Sequence, residues 1–152
     1  MSITKKTEKD EYTIIDLGSL SDLSKYKYPM PVPGKSQEIE GKVFLKEQLG
    51  LTSAEISVNA MKPGDSTPFI HKHKENEEIY FVIKGNGQML LNDEVFDISE
   101  GSAIRVSPAA ERSIRNNSAS ELIFMVIQAK RSSISSKQIE DGYSIEKTPV
   151  WY

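Results

Sequence analysis

The sequence predicts an all-β sandwich or barrel, on three observations. From Gly41 onward, short apolar runs alternate with turn-forming clusters. Those clusters recur at close, regular spacing, as they do where antiparallel strands follow one another. No stretch between Gly41 and Lys130 holds a sustained helical apolar period with caps.

The elements follow in chain order. Met1 to Glu11 is polar and lysine-rich and reads as a frayed end. Tyr12 to Leu23 carries a short apolar patch and leads into YKYPMPVPGKSQ. Prolines at 29, 31 and 33 forbid a helix and disfavour a central strand, so Tyr26–Ser36 reads as an extended arm. The predicted strands are Lys42–Leu45, Ala54–Met61, Ile79–Lys84, Gln88–Leu91, Val95–Ile98, Ala103–Val106 and Leu122–Ala129. Between them, Pro63-Gly64-Asp65, Asn86-Gly87, Asn92-Asp93, Glu100-Gly101 and Asn116-Asn117-Ser118 supply turn chemistry. The organisation expected is an arm over 1–40, a barrel over 41–130 and a tail over 131–152. The aromatic end of the tail, with Trp151, is expected to dock on the body or on a partner subunit.

At 152 residues the chain has the size of one domain, and its composition (38% hydrophobic, 27% charged) is that of an ordinary globular protein. A net charge of -3, with Lys and Arg scattered, supplies no footprint for nucleic acid or anionic lipid. The absence of cysteine excludes disulfides, thiolate ligands and a cysteine nucleophile. The N-terminus lacks the apolar core of a signal peptide and no apolar run approaches the length of a bilayer span, so a cytoplasmic protein is expected.

Both histidines stand in HKHKENEEIYFVIKGNG, residues 71–87. At strand period His71 and His73 share a face, as do Glu78 and Tyr80 beyond a short connection. Two imidazoles and a carboxylate converging inside a barrel form a ligand set for Fe, Mn, Ni, Zn or Cu. A His-x-His on an exposed edge that merely meets water is the bland alternative.

In their spacing these residues resemble the first motif of the cupin superfamily. That motif runs Gly, about five residues, His-x-His, three or four residues, Glu, six residues, Gly. Gly64, His71, His73, Glu78 and Gly85 supply it, with one residue more than usual between Gly64 and His71. The resemblance covers Lys42 to Ala129 and implies a double-stranded β-helix, or jelly-roll barrel, often dimerising by exchange of N-terminal strands. In the family's second motif a histidine supplies the fourth ligand. Here GSAIRVSPAAERSIRN, residues 101–116, places Arg112 at that position, or Ser113 in a register one residue later. Arg112 is preferred because Ile114 then takes the next inward apolar position. A permanently protonated guanidinium is no metal ligand and would repel a divalent ion; pairing with Glu78 would occupy the ion's place instead. HKHKENEEIY, KGNGQ and IQAK also resemble a group of small single-domain cupins of no established activity.

Tyr80, Gln88, Arg105, Met125 and Gln128 are further candidates for the barrel lining. Gln128 interrupts the apolar strand LIFMVIQA and either meets a partner or ligand or lies in water at the strand end. Arg105 reads as a solvated edge charge. The chemistry expected is binding of a compact, anionic small molecule, with a divalent metal held by His71, His73 and Glu78 where one is present. Arg112, Tyr80, Gln88 and Gln128 are read as ligand-binding. A metal-dependent dioxygenase, decarboxylase or isomerase is one alternative; a metal-free binding or interaction module is another. The extended arm favours a homodimer.

Overall fold

The computed structural model describes residues 2–32, 35–135 and 141–151, and side chains outside 30–37. Pro33 and Gly34 of the expected arm, and residues 136–140 and Tyr152 of the tail, lie outside the described residues.

Two sheets face one another. The larger has the order β10-β7-β12-β6-β5, with β5 Lys42–Phe44, β6 Ala54–Met61, β7 Asn76–Lys84, β10 Ala103–Val106 and β12 Leu122–Lys130. The smaller has the order β11-β8-β9, with β8 Asn86–Leu91, β9 Glu94–Ser99 and β11 Arg112–Arg115. Every pairing is antiparallel, so the expected jelly-roll architecture is the observed one. Alternation along the strands buries Tyr80, Val82, Met89, Ile114, Phe124 and Val126 among the residues between the sheets.

The long connection from β6 to β7 crosses to the smaller sheet and runs beside β11. Isolated bridges pair Ser66 with Arg115 and His71 with Arg112. Asn116, buried at the end of β11, locks this crossing: its amide donates to the Met61 and Ser120 carbonyls at 2.9 and 2.7 Å.

Several local readings change. The β11 strand was hidden by its polar sequence, RSIR. A single helical turn, Lys46–Leu49, follows β5 and closes on Gly50 at φ +67°. Asn86-Gly87 is not a turn; both residues pair within β8, and the chain bends from the larger sheet into the smaller one residue earlier at Gly85, φ +87°. Gly87 is needed for space, because a Cβ there would lie 2.6 Å from the Arg115 carbonyl oxygen and 2.7 Å from Leu122 Cδ2.

The N-terminal segment is also more ordered than its composition suggests. It forms two hairpins, β1 Thr4–Glu8 with β2 Thr13–Asp16 and β3 Lys27–Val32 with β4 Lys35–Glu40, joined by the 3-10 turn Leu20–Lys25. Leu23 and Tyr26 pack with Val43, Val58, Ala60 and Ile123 on the outer face of the larger sheet. The arm therefore covers this chain's own barrel. At the other end, Tyr143 and Trp151 are 88% and 90% exposed, so the described part of the tail does not dock on this chain's body. Among the described residues, no helix is long and apolar enough to cross a membrane.

Candidate metal centre and cavity

Glu78 is placed by strand alternation. Its neighbour Glu77 points outward to Arg105 at 3.0 Å, whereas Glu78 and Tyr80 face inward and are buried. His71 and His73 reach the same place from the crossing segment. The His71 N–H donates to the Arg112 carbonyl at 3.2 Å and the His73 N–H to the Pro108 carbonyl at 3.0 Å. These two backbone bonds, at alternate residues, direct both side chains to one side. The rings lie 5.4 Å apart, nearly perpendicular.

The three side chains converge as the spacing predicted. His73 Nε2 lies 3.1 Å from Glu78 Oε1 and His71 Nε2 lies 3.9 Å from Glu78 Oε2. One ligand atom from each falls within 4.8 Å of the others. Donors about 2.0–2.2 Å from a common first-row ion lie at most ~4.4 Å apart, so the three side chains would draw in by a few tenths of an ångström to hold one. Tyr80 donates to Glu78 Oε2 at 2.9 Å and Gln128 Nε2 donates to Oε1 at 3.2 Å. The Gln128 nitrogen is also 3.2 Å from His73 Nε2, and its carbonyl oxygen accepts from Asn76 Nδ2 at 3.1 Å. Gln128 is thus an orienting group in the site and not a strand end in water.

The protonation states favour a cation. Burial opposes ionisation of Glu78, but hydrogen bonds from Tyr80 and Gln128 and the nearby His73 and Arg112 outweigh it, holding its carboxyl below the ordinary range. Burial lowers His71 against the pull of Glu78, with Arg112, His73 and Lys42 adding to the lowering. The imidazole is therefore kept neutral, the form that binds metal. The buried His71 Nδ1 has no hydrogen-bond partner, so His71 lacks the acceptor that commonly orients a ligating histidine. Burial and the Glu78 carboxylate raise the Tyr80 phenol far above its usual range, fixing it as a donor.

Arg112, not Ser113, holds the position of the fourth ligand. Alternation in β11 buries Arg112 and Ile114 and turns Ser113 to the other side, where its hydroxyl contacts the Thr67 carbonyl at 3.4 Å. Arg112 is completely buried. Nη2 donates to the Ser107 carbonyl at 3.1 Å and Nη1 to that of His71 at 3.4 Å. Nε lies 3.1 Å from Glu78 Oε2, an ion pair too misaligned for the N–H to form a hydrogen bond. The guanidinium stands behind Glu78 and is not among the residues lining the cavity. Its expected role as a ligand-binding group is corrected accordingly: it is a counter-ion to Glu78.

Gln88 also requires correction. Met89 takes the inward position on β8, so Gln88 faces out, donating to Asp97 at 2.7 Å and accepting from Arg115 Nε at 2.8 Å. Met125 likewise lies outside the cavity lining, and Met61 lies within it.

Above the donors is a cavity of about 340 Å³, near the lower end of the range for small-molecule sites. Phe44, Phe69, Phe124 and Val126 form apolar walls. On the side of β5 and β6, a polar group that the sequence reading missed faces in: Lys42, Ser57 and Asn59. The signal was present in AEISVNAM, where polar residues alternate with apolar ones. Such a strand ordinarily turns its polar side to water; here the arm covers the apolar side and the polar side faces the cavity.

The family model described as cupin domain matches residues 58–128, a span that includes all three donors. A cupin protein of known structure from Bacteroides fragilis is 33% identical, covering 78% of this chain and 97% of its own, with a TM-score of 0.66. An uncharacterized protein of Methanocaldococcus jannaschii is 37% identical over 57 residues, 38% of this chain, and the match spans only 46% of that protein's length. A "predicted oxalate decarboxylase" of Thermotoga maritima, 24% identical, superposes with a TM-score of 0.55 over 70% of this chain and 96% of its own; that likeness concerns the fold alone. A jelly-roll barrel, a matching domain model and a relative one-third identical over nearly its whole length make this chain a member of the cupin family.

Proposed function

We propose that this cupin binds a divalent first-row metal through His71, His73 and Glu78 and holds a compact anionic molecule in the cavity above it. The observation that carries this reading is the convergence of three ligand atoms within 4.8 Å beside a cavity. Two imidazoles and one carboxylate match Fe, Mn, Ni, Zn or Cu in softness and leave coordination positions for a ligand. When bound, such an ion would act as a Lewis acid or dioxygen platform. The protein's own groups hold the centre: Tyr80 and Gln128 orient Glu78, and Gln128 also sits against His73. Arg112 draws electron density from Glu78 and makes the site weaker than one with a fourth neutral ligand.

A metal-dependent enzyme (a dioxygenase, decarboxylase or isomerase) would use the same centre. A metal-free reading is favoured by one observation, the Arg112–Glu78 pair, which satisfies the carboxylate without an ion. Calorimetric titration of zinc into the protein and into His71→Ala and His73→Ala separates these readings. One-to-one binding that either substitution weakens by at least about 100-fold supports the metal centre, since loss of a mere outer partner costs roughly 10–100-fold. Equal, weak binding by all three proteins would leave Glu78 as Arg112's structural partner.

A further inference from the structure

With Arg112 sealed behind Glu78, the cavity needs another group to recognise negative charge. Among the described residues lining it, Lys42 is the only lysine or arginine. It sits on β5 opposite Asn59 and turns inward, as does Phe44, while Val43 between them packs outward against the arm. Its ammonium donates to Asn59 Oδ1 at 2.8 Å and more weakly to Ser57 Oγ at 3.5 Å, and stands 4.7 Å from the Phe44 ring centroid.

Asn59 is itself held, its amide donating to Ser57 Oγ at 3.1 Å and to the Phe124 carbonyl at 3.4 Å. Two of the three Lys42 donors are thus used to position it and the third has no hydrogen-bond partner among the described residues. No ion pair neutralises it among the described residues. The acidic groups that share the lining are otherwise engaged: Glu40 pairs with Lys62, Glu55 accepts from the Lys46 N–H at 3.1 Å, and Glu78 belongs to the histidine centre. In the sheet, β5 and β7 are three strand steps apart, ~14 Å between backbone axes at ~4.8 Å per step. Side chains from both strands reach into the gap, and Phe44, Phe124 and Val126 line the space between them.

We propose that Lys42, seated on Asn59 and Ser57, is the anion-recognising pole of the cavity, binding the carboxylate of a ligand with an apolar, single-ring-sized body whose other end faces His71, His73 and Glu78. The proposal rests on the reading of the cavity as a small-molecule site. It does not require the metal. Burial, opposed by Glu78 and Glu55, lowers the ammonium to about 8; it is therefore still a cation at neutral pH, and a poorly solvated cation is one that an anion binds well.

The test uses fluorine NMR on the full chain stripped of metal, with 4-fluorobenzoate and 4-fluorobenzamide as probes of equal shape. The carboxylate should bind at least about tenfold more tightly than the amide, from the loss of a hydrogen bond between opposite charges. Lys42→Met should abolish that preference while leaving the amide's affinity within about twofold, and Lys42→Arg should restore it. Equal binding of the two probes, binding of neither, or a preference that survives Lys42→Met overturns the proposal. Zinc titration of the same samples reads the histidine centre separately. Intact zinc binding with no carboxylate preference defeats only the Lys42 pole. A Lys42-dependent preference without zinc binding defeats only the metal.

Discussion

Replacing Lys42 by Met should remove a rise of stability with alkaline pH. In the unfolded chain the ammonium titrates near 10.5, whereas burial, against the opposing pull of Glu78 and Glu55, brings it to about 8 in the folded protein. Below about pH 8 both states hold the proton, and the folded state bears the full cost of a desolvated cation. Between about 8 and 10.5 the unfolded chain binds a proton that the folded chain has released, so stability increases with pH. At about 1.36 kcal/mol per pH unit the interval is worth at most ~3.4 kcal/mol, of which ~2.5 kcal/mol falls between pH 7 and pH 10. Partial exposure of the Lys42 side chain reduces this toward ~1.5 kcal/mol through solvent screening. Methionine keeps an unbranched stem over Phe44 but deprives Asn59 Oδ1 of a donor, an offset of ~1 kcal/mol that hardly varies with pH. Urea denaturation of both proteins at pH 7 and pH 10 gives the difference directly. The wild type should gain ~1.5–2.5 kcal/mol on the variant across that interval. Parallel profiles, or a relative loss by the wild type, would refute a desolvated, unpaired Lys42.

Other consequences follow from named contacts. Glu78→Gln leaves the completely buried Arg112 without its counter-charge and should cost about 3–5 kcal/mol in a denaturant titration. Leu23→Ala empties a fully buried position between the arm and the barrel; a loss of about 2–5 kcal/mol is expected, and a loss near zero would show that the arm packs elsewhere. His71 has a folded pKa below its ordinary 6.5, so its contribution is constant above that value and is lost as pH falls through it toward the folded pKa. Metal-free wild type should therefore lose more stability than His71→Gln between pH 7.5 and pH 5.5, as read by urea midpoints.

Where side-chain pattern and backbone chemistry agreed, the sequence was legible. Ala54–Met61 and Ala103–Val106 form strands with the predicted ends, because alternation and flanking turn residues mark the same boundaries. His71, His73 and Glu78 were legible because alternate residues in extended chain share a face, and six residues separate Glu78 from the glycine that ends its strand. The preference for Arg112 over Ser113 rested on Ile114 needing an inward position, and the burial of both residues agrees.

What was illegible depended on partners far away in sequence. Val58 and Ala60 face the outside of the sheet and are buried there only because Leu23 and Tyr26 cover them. Without knowledge of that cover, the polar face of β6 reads as solvent-facing, and Asn59 and Lys42 go unnoticed. Gln88 was misplaced because a polar residue in a strand of a ligand-binding barrel invites an inward reading; the burial of Met89 beside it decides the face. Asn86-Gly87 has the composition of a hairpin turn, yet Gly87 is required by the close approach of the Arg115 carbonyl and Leu122, a contact between strands that local composition does not encode.

The most direct test of the metal centre is elemental analysis, by inductively coupled plasma mass spectrometry, of the untagged protein purified without added metal. Near-stoichiometric Fe, Mn, Ni, Zn or Cu is expected in the wild type, with its loss in both His71→Ala and His73→Ala. Wild-type protein free of all five metals, or metal that persists in both variants, would contradict the metal centre.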